Sequence, residues 1–332
     1  MPLVFLVARL FFSAIADYVG WSHVFVLINW PSAFFSTLIY YFATSLPFFV
    51  LGKLVEALRE SSYWAVSRTA VYHLSPHRAG DEATKINAVI WLAMAVGGAM
   101  AGLGIAYLGF SASLAVLAVA SLAIGVPAVL LWRSSSKTAI PKNKRLLQPL
   151  NPKGRPQKFW LASVALMFNS LATYPLVNLL FPVFMSQKLG YNYIIIGILF
   201  MLYYAVSAIA TWATVKYSLG FKRAAILSAV SVVASVFLAG PALLFPAFLL
   251  TLAFVRGCGV GYFEHTVLKI AKNSQNLSVD IGWLHAPMRL AEFSSLVAGG
   301  FLAQALGYAP VFIATGVFFG IYAFLSLYVI KS

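Results

Sequence analysis

Long apolar stretches, broken at intervals by glycine, proline or charged residues, dominate the pattern of this chain. A stretch of about 20 apolar residues is long enough to cross a lipid bilayer as a helix. Reading each break as a helix boundary predicts eleven such helices. They lie near residues 2–17, 24–42, 46–73, 86–107, 111–132, 159–186, 191–215, 224–239, 242–271, 283–306 and 310–330.

Most of the predicted helices are joined by only a few residues, such as 43–45 and 307–309. Short connections make consecutive helices antiparallel and leave no room for an inserted soluble domain. The segment 133–158 is the exception, because it carries eight basic residues, four prolines and no acid. Such a segment is typical of an extended linker. It divides the chain into an N-terminal bundle (1–132), a basic linker (133–158) and a C-terminal six-helix bundle (159–332).

The composition agrees with a membrane location. Hydrophobic residues make up 61% of the 332 residues and charged residues only 9%, whereas soluble domains are about 25% charged. This excludes a soluble globular enzyme and predicts an all-α integral membrane protein in contact with the lipid bilayer. The single cysteine, Cys258, excludes a disulfide within the chain and a thiolate metal cage, since both need at least two sulfurs.

Basic residues are divided unequally between the two ends of the predicted helices. If the linker is cytoplasmic, fifteen of them fall on the cytoplasmic side and only Lys188 on the other side. Short loops rich in Lys and Arg stay in the cytoplasm. We therefore expect a multi-pass protein of the cell membrane with a cytoplasmic linker and C-terminus. Because the net charge of +15 is spread over loops, we expect no nucleic-acid partner. The fifteen are Arg78, Lys85, Arg133, Lys137, Lys142, Lys144, Arg145, Lys153, Arg155, Lys158, Lys216, Lys222, Arg223, Lys272 and Lys331.

Four landmarks recur at spacings of 198 to 202 residues. Collinear pairs at one spacing indicate two halves of six helices, related by parallel duplication. Since only eleven helices are visible of an expected twelve, the first helix would precede Met1, and we expect a truncated form of a twelve-helix protein. The pairs are Gly20 with Gly220, Tyr63-Trp64 with Tyr262-Phe263, Gly97-Gly98 with Gly299-Gly300, and Leu108-Gly109-Phe110 with Leu306-Gly307-Tyr308.

Two loops carry a family resemblance. The loop after the first visible helix contains Asp17 and Gly20, and the matching loop of the second half contains Gly220, Lys222 and Arg223. They resemble the two copies of the Gly-x-x-x-Asp-Arg/Lys-x-Gly-Arg/Lys-Arg/Lys motif of the major facilitator superfamily of secondary transporters. The resemblance covers essentially the whole chain and implies that family's fold of two pseudo-symmetric helical bundles. It also implies gating loops in which Asp17 accepts bonds from basic groups or helix N-termini of the facing bundle.

A polar stripe runs along the predicted helix 46–73. At 100° per residue, Lys53, Glu56 and Glu60 share a narrow arc, and Arg59 lies just beside it. An ionisable group at membrane depth costs about 2.5 to 3.5 kcal/mol, so it must pair or face a wet cavity. We interpret the stripe as the lining of a substrate cavity in which two carboxylates could hold one proton. The alternative is a set that neutralises itself through pairs three or four residues apart.

The repeat-related helix of the second half carries Arg256 at the depth of Glu56. If the halves face each other as in the family, Arg256 points towards Glu56 or Glu60 across a central cavity. It would then act as a gate between the halves or as a clamp for an anionic substrate. A buried pair with Glu264 is the alternative, although a spacing of eight residues is awkward on one helix.

Four further residues complete the candidate set. Arg289 and Glu292 are three residues apart on one predicted helix, which favours a structural ion pair. Asn169 and Thr173 lie in the helix after the linker. They resemble the polar positions with which the family's seventh helix touches substrate.

Together these features predict a secondary transporter that moves a small organic solute by alternating access. We expect a proton as the candidate coupling ion and a monomer as the working form. The sequence contains no Gly-x-x-x-x-Gly-Lys-Ser/Thr, His-Glu-x-x-His or Cys-x-x-Cys motif, so we expect no cofactor, no metal and no enzymatic activity. Two alternatives stay open: an intramembrane lipid-modifying enzyme, with His77 and Asp81 as its candidates, and a non-transporting remnant of such a transporter.

Overall fold

The computed structural model describes residues 2–135, 150–151, 154–217, 220–271, 274 and 276–332. Every regular element within those residues is helical, as the apolar pattern predicts. Most of the predicted linker lies outside the described residues, and so does one basic residue of the second half. These basic residues are Lys137, Lys142, Lys144, Arg145, Lys153 and Lys272.

The helices follow one another along the whole chain. Helix α2 contains a π-helical turn at Phe25–Asn29, and α6 contains two, at Leu176–Leu180 and Phe184–Lys188. A 3-10 turn, Ala242–Leu244, precedes α9. The bounds are α1 Pro2–Val19, α2 Trp21–Tyr41, α3 Leu46–Leu74, α4 Ala79–Ala123, α5 Gly125–Ser135, α6 Gln157–Lys188, α7 Tyr193–Thr214, α8 Phe221–Phe237, α9 Phe245–Ala271, α10 Leu277–Leu284, α11 Ala286–Leu306 and α12 Tyr308–Lys331.

Within the described residues, six helical stretches are long and apolar enough to cross a membrane, so the chain is a multi-pass membrane protein. Helix α3, with 29 residues, is also long enough, but it carries the charged stripe. The structure differs from the predicted boundaries at several places. Ile124 interrupts the predicted helix 111–132 and separates α4 from α5. Helix α4 begins at Ala79 and not near residue 86. Asp81 and Glu82 lie in its first turn, where their negative charges stabilise the positive end of the helix dipole. Helix α10 is an additional short helix, Leu277–Leu284, in a region whose polar residues predicted a loop.

Two tight turns have the same backbone conformation although 198 residues separate them. Gly109, where α4 is sharply kinked, has φ 74° and ψ 173°. Gly307, between α11 and α12, has φ 84° and ψ 173°. Only glycine adopts this region without strain. The two Leu-Gly-aromatic turns of the predicted repeat therefore share geometry as well as sequence.

One compact unit combines Met1–Pro76, Tyr107–Arg155 and Ala271–Ala286. Its core brings together buried residues of α1, the start of α2 and the second half of α3, among them Phe12, Trp21 and Val66. Helix α10 packs on α1, and Gly282 of α10 lies against the side chain of Leu10. Short helix α10 is thereby held to the first helix of the chain.

The second compact unit combines His77–Ala106, Pro156–Ile270 and Pro287–Ser332. Its core is a cluster of buried aromatic and aliphatic side chains that includes Phe181 of α6, Phe245 of α9 and Phe312 of α12. Helices α7 and α9 approach closely, and the hydroxyls of Ser207 and Thr211 donate to main-chain carbonyls of α9 at 3.1 Å. Small and hydroxylated residues thus join helices in the apolar interior. The division by sequence into 1–132 and 159–332 stays a prediction.

We expect Gly109→Ala and Gly307→Ala each to lower the free energy of unfolding by about 1 kcal/mol, because an L residue is strained at positive φ. The added methyl has no atom within 4 Å at either site, so the effect is confined to the backbone. Thermal unfolding of the purified protein in detergent measures it. Gly97→Ala is the matched control, since its methyl also meets open space but φ is not positive. Equal losses in all three variants would contradict the assignment.

Candidate functional site

The charged stripe of α3 is built around the carboxylate of Glu56. Lys53 Nζ donates to Glu56 Oε2 at 2.8 Å, and the hydroxyl of Tyr40 on α2 donates to the same oxygen. The ammonium of Lys53 also lies 5.4 Å from the centre of the Tyr40 ring and 6.0 Å from that of Phe49. The ion pair of Lys53 and Glu56 is therefore supported by a further donor, the hydroxyl of Tyr40, and by the rings of Tyr40 and Phe49. This makes the pair more specific than an ion pair on the surface of one helix.

Tyr40 is a residue that sequence reasoning missed. Its ring lies flat against Gly52, where a Cβ would come 2.6 Å from a ring carbon. Gly52 therefore admits the ring, and the ring directs the hydroxyl towards Glu56. The signal in the sequence was a glycine one residue before Lys53 in an otherwise bulky helix, but a lone glycine does not identify its neighbour.

The other half of the stripe is looser. Arg59 Nη2 lies 3.4 Å from Glu60 Oε1, and both side chains are more than one third exposed. Asn29, at the end of the π-helical turn of α2, donates to the carbonyl of Arg59 at 2.8 Å and to Ser62 Oγ at 3.3 Å. The stripe is thus fixed to α2 at two levels, by Tyr40 and by Asn29, while Glu60 keeps the more open position.

Arg256 lies near the middle of α9 in the second unit, and only 7% of it is exposed. Its Nη2 donates to the main-chain carbonyl of Ala172 on α6. Its Nε and Nη1 have no hydrogen-bond partner among the described residues. The side chain of Tyr203 on α7 lies close enough to interact with it electrostatically. Arg256 is therefore a buried cation whose hydrogen-bonding capacity is only partly used.

The carbonyl of Ala172 is available because α6 is irregular just beyond it. The amide of Leu176, which in a regular α-helix would bond to the carbonyl of Ala172, bonds to the carbonyl of Thr173 instead. A π-helical turn then begins at Leu176. The free carbonyl, at the electronegative end of a peptide dipole, is a suitable acceptor for a guanidinium.

Asn169 and Thr173 flank Ala172 on the same helix, one turn apart, and both are partly buried. They belong to the same compact unit as Arg256. Glu56 and Glu60 belong to the other unit, so the predicted approach of Arg256 to either of them stays a prediction. Glu264, the alternative partner of Arg256, is fully buried and accepts a hydrogen bond from Asn87 at 2.9 Å. Asn87 was not singled out from sequence.

Arg289 and Glu292 are bonded to each other within α11. The distance from Arg289 Nη1 to Glu292 Oε2 is 2.5 Å, and both residues are buried. Ser170 donates to the second carboxylate oxygen at 3.0 Å. The pair therefore joins α11 to α6 at Ser170. Ala172, the acceptor for Arg256, lies two residues further along α6.

The two loops that the sequence predicts to act as gates differ in structure. Asp17 accepts the amide hydrogens of Ser278 and Val279 at 3.2 and 3.1 Å, and so caps the N-terminus of α10 from another helix. Gly20 follows with φ 106°. In the second half, Gly220 is extended and precedes α8, while Lys222 and Arg223 are exposed in the first turn of that helix.

His77 and Asp81, the candidates for a lipid-modifying enzyme, are placed differently in the structure. His77 is exposed. The carboxylate of Asp81 lies 3.7 Å from the ring nitrogen of His265 instead.

Comparison with known proteins agrees with this architecture. The family model described as Major Facilitator Superfamily matches residues 1–274. No protein with a curated description matches the chain. A crystal structure of a bacterial homologue of the iron transporter ferroportin, in the outward-facing state, is similar with a TM-score of 0.66. The match has 15% identity and covers 99% of this chain and 90% of that one, and at such low identity it shows the fold. Because the family model matches most of its length, the chain belongs to the major facilitator superfamily.

Proposed function

We propose that this protein is a secondary active transporter that moves a small organic solute across the cell membrane by alternating access. The two halves of the sequence, 1–132 and 159–332, would rock about a site near the middle of the membrane. The linker 133–158 and the C-terminus would face the cytoplasm. A proton is the coupling ion in this proposal, and the monomer is the working form.

One observation carries the proposal: both compact units contain ionisable groups at membrane depth that are not merely paired on one helix. In the first unit, Tyr40 of α2 bonds to Glu56 of α3. In the second unit, Arg256 of α9 bonds to a carbonyl of α6. Ionisable groups inside a membrane protein mark substrate and ion pathways. Membership of a family of transporters supports the same interpretation.

Glu56 is the proposed proton carrier. Its Oε2 accepts from both Lys53 and Tyr40. Protonation would remove the negative charge that holds the Lys53 ammonium in place and would weaken both bonds. A change at one oxygen would therefore loosen α2 from α3.

An organic solute is favoured over a metal ion. The bacterial homologue with the similar fold is related to an iron transporter. In this chain the buried group proposed to meet the solute is the guanidinium of Arg256, which repels a metal cation.

Glu56→Gln and Arg256→Ala should each abolish solute accumulation while leaving membrane insertion intact. Glutamine keeps the shape of Glu56 but cannot exchange its proton, and alanine removes the charge that recognises the solute. The protein is reconstituted in liposomes with an imposed pH gradient and exposed to a mixed panel of organic solutes. Mass spectrometry of the lumen identifies the solutes that accumulate.

Lys188→Gln is the matched control, because it removes one positive charge from an exposed helix end in the same unit as Arg256. It should accumulate solute as the unchanged protein does. Unchanged accumulation in the Glu56 and Arg256 variants would refute their roles. No protein-dependent accumulation of any solute by the unchanged chain would refute transport and favour a non-transporting remnant.

Asp17→Ala should loosen α10 from α1, because it removes the acceptor of two amide hydrogens at the start of α10. Loss of such a cap costs about 1 kcal/mol, or roughly a fivefold shift in the equilibrium of opening. Thr69, buried against Ser278, reports the opening. In a background where Cys258 is replaced by Ser, a thiol introduced by Thr69→Cys should be alkylated about five times faster when Asp17 is Ala. Asp17→Asn keeps one acceptor oxygen and should be intermediate; equal rates in all three would refute the gating role.

A further inference from the structure

The guanidinium of Arg256 places a positive charge in the apolar interior of the second unit. Eleven residues of α9 precede it, which at 1.5 Å per residue places it about 16 Å from the start of that helix, close to the middle of a core about 30 Å thick. Only 7% of the residue is exposed. The guanidinium of an arginine stays protonated in proteins, so this side chain carries its positive charge into the apolar interior.

The partners of Arg256 within the described residues do not neutralise that charge. The carbonyl of Ala172 is a neutral dipole. The neighbouring Tyr203 side chain is a phenol. Glu264, the nearest acid along α9 towards its C-terminal end, is bonded to Asn87. The positive charge is solvated by dipoles, and two of its three nitrogens, Nε and Nη1, have no acceptor in hydrogen-bond geometry among the described residues.

An anion with several acceptor oxygens would both neutralise the charge of Arg256 and accept hydrogen bonds from Nε and Nη1. A carboxylate has two oxygens in one plane and matches the planar fork of a guanidinium. It also carries a single negative charge, so that binding would leave the site neutral, whereas a doubly charged phosphate would leave an excess in an apolar region. Charge-assisted bonds of this kind are about twice as strong as neutral ones.

The surroundings favour an organic body behind the carboxylate. Tyr203 belongs to the aromatic core of this unit, and its ring contacts those of Phe181 and Tyr204. Tyr204 in turn stacks on Trp91 of α4, with ring centres 5.6 Å apart. The indole nitrogen of Trp91 is buried and has no partner among the described residues. Apolar faces with a few unused donors are typical of sites for small organic ligands.

We propose that Arg256 is the receptor for the carboxylate of a monoanionic organic acid, with Tyr203 beside it and the aromatic residues of α4 and α7 around the apolar part of the ligand. This names the substrate class of the transporter and in that respect rests on the proposed function. The binding itself is independent of transport.

Binding is tested on the full purified chain in detergent, by thermal unfolding at constant ionic strength. The probes are sodium acetate and sodium benzoate, each matched with its neutral amide, and sodium phosphate and sodium chloride as inorganic anions. At least one carboxylate should raise the unfolding midpoint by a few degrees in a saturable manner, because a ligand bound to the folded state stabilises it. Its amide should not. In Arg256→Gln the apparent affinity should fall by about tenfold or more.

Lys188→Gln is the matched control for loss of one positive charge, and it should titrate as the unchanged protein does. Where Arg256→Gln does not fold, Arg256→Lys replaces it, and lysine should bind the same carboxylate more weakly while still rejecting the amide. Three results overturn the proposal: no shift with either carboxylate, equal shifts with carboxylate and amide, or saturable shifts with phosphate or chloride alone.

The two proposals fail separately. Accumulation of a neutral or cationic solute in liposomes, with no carboxylate binding, overturns the anion site and leaves transport standing. Carboxylate binding that depends on Arg256, without accumulation of any solute, leaves the site standing and overturns transport.

Discussion

In the hydrocarbon core of a membrane, a polar group must find its partner inside the protein, because water cannot supply one. The ionisable side chains of this chain meet that constraint in different ways. The carboxylate of Glu292 has both oxygens bonded, to Arg289 and to Ser170. The carboxylate of Glu56 gathers two donors on one oxygen. Within the described part of the chain, Arg256 donates to a carbonyl and interacts with a phenol. The more completely a charge is satisfied, the less it can contribute to binding, which ranks Arg256 first.

The same constraint explains where the helices are irregular. A π-helical turn in α2 ends at Asn29, whose side chain bonds to the carbonyl of Arg59. At the start of a π-helical turn in α6, the amide of Leu176 bonds to Thr173 instead of Ala172, and the carbonyl of Ala172 accepts from Arg256. In each case the irregular turn lies where a polar contact crosses between helices. Such turns cost regular backbone bonds, and they are found here beside the charges that need an extra acceptor or donor.

Hydrophobic runs and breaks predicted most of the long helices, because bilayer thickness dictates their length. The family followed from Asp17, Gly20 and the basic pair at Lys222 and Arg223. Partners across helices were not predictable, because Tyr40, Asn87 and Tyr203 look like ordinary residues of apolar segments until the tertiary structure brings them near Glu56, Glu264 and Arg256. Helix α10 was read as a loop, since its N-terminus is capped by Asp17, 261 residues away in sequence, and not by a neighbour.

The repeat is preserved at one set of turns and altered at another. Gly109 and Gly307 have nearly the same φ and ψ, although the first kinks α4 and the second separates α11 from α12. Gly20 and Gly220 have different conformations, with φ 106° and −141°. Near the first of these, an acid caps a helix from the other half of the sequence; beside the second, two exposed cations stand in the first turn of α8. The glycine turns with open space around them keep one backbone conformation in both copies, whereas the loop that makes a charged contact in one half alone differs from its counterpart.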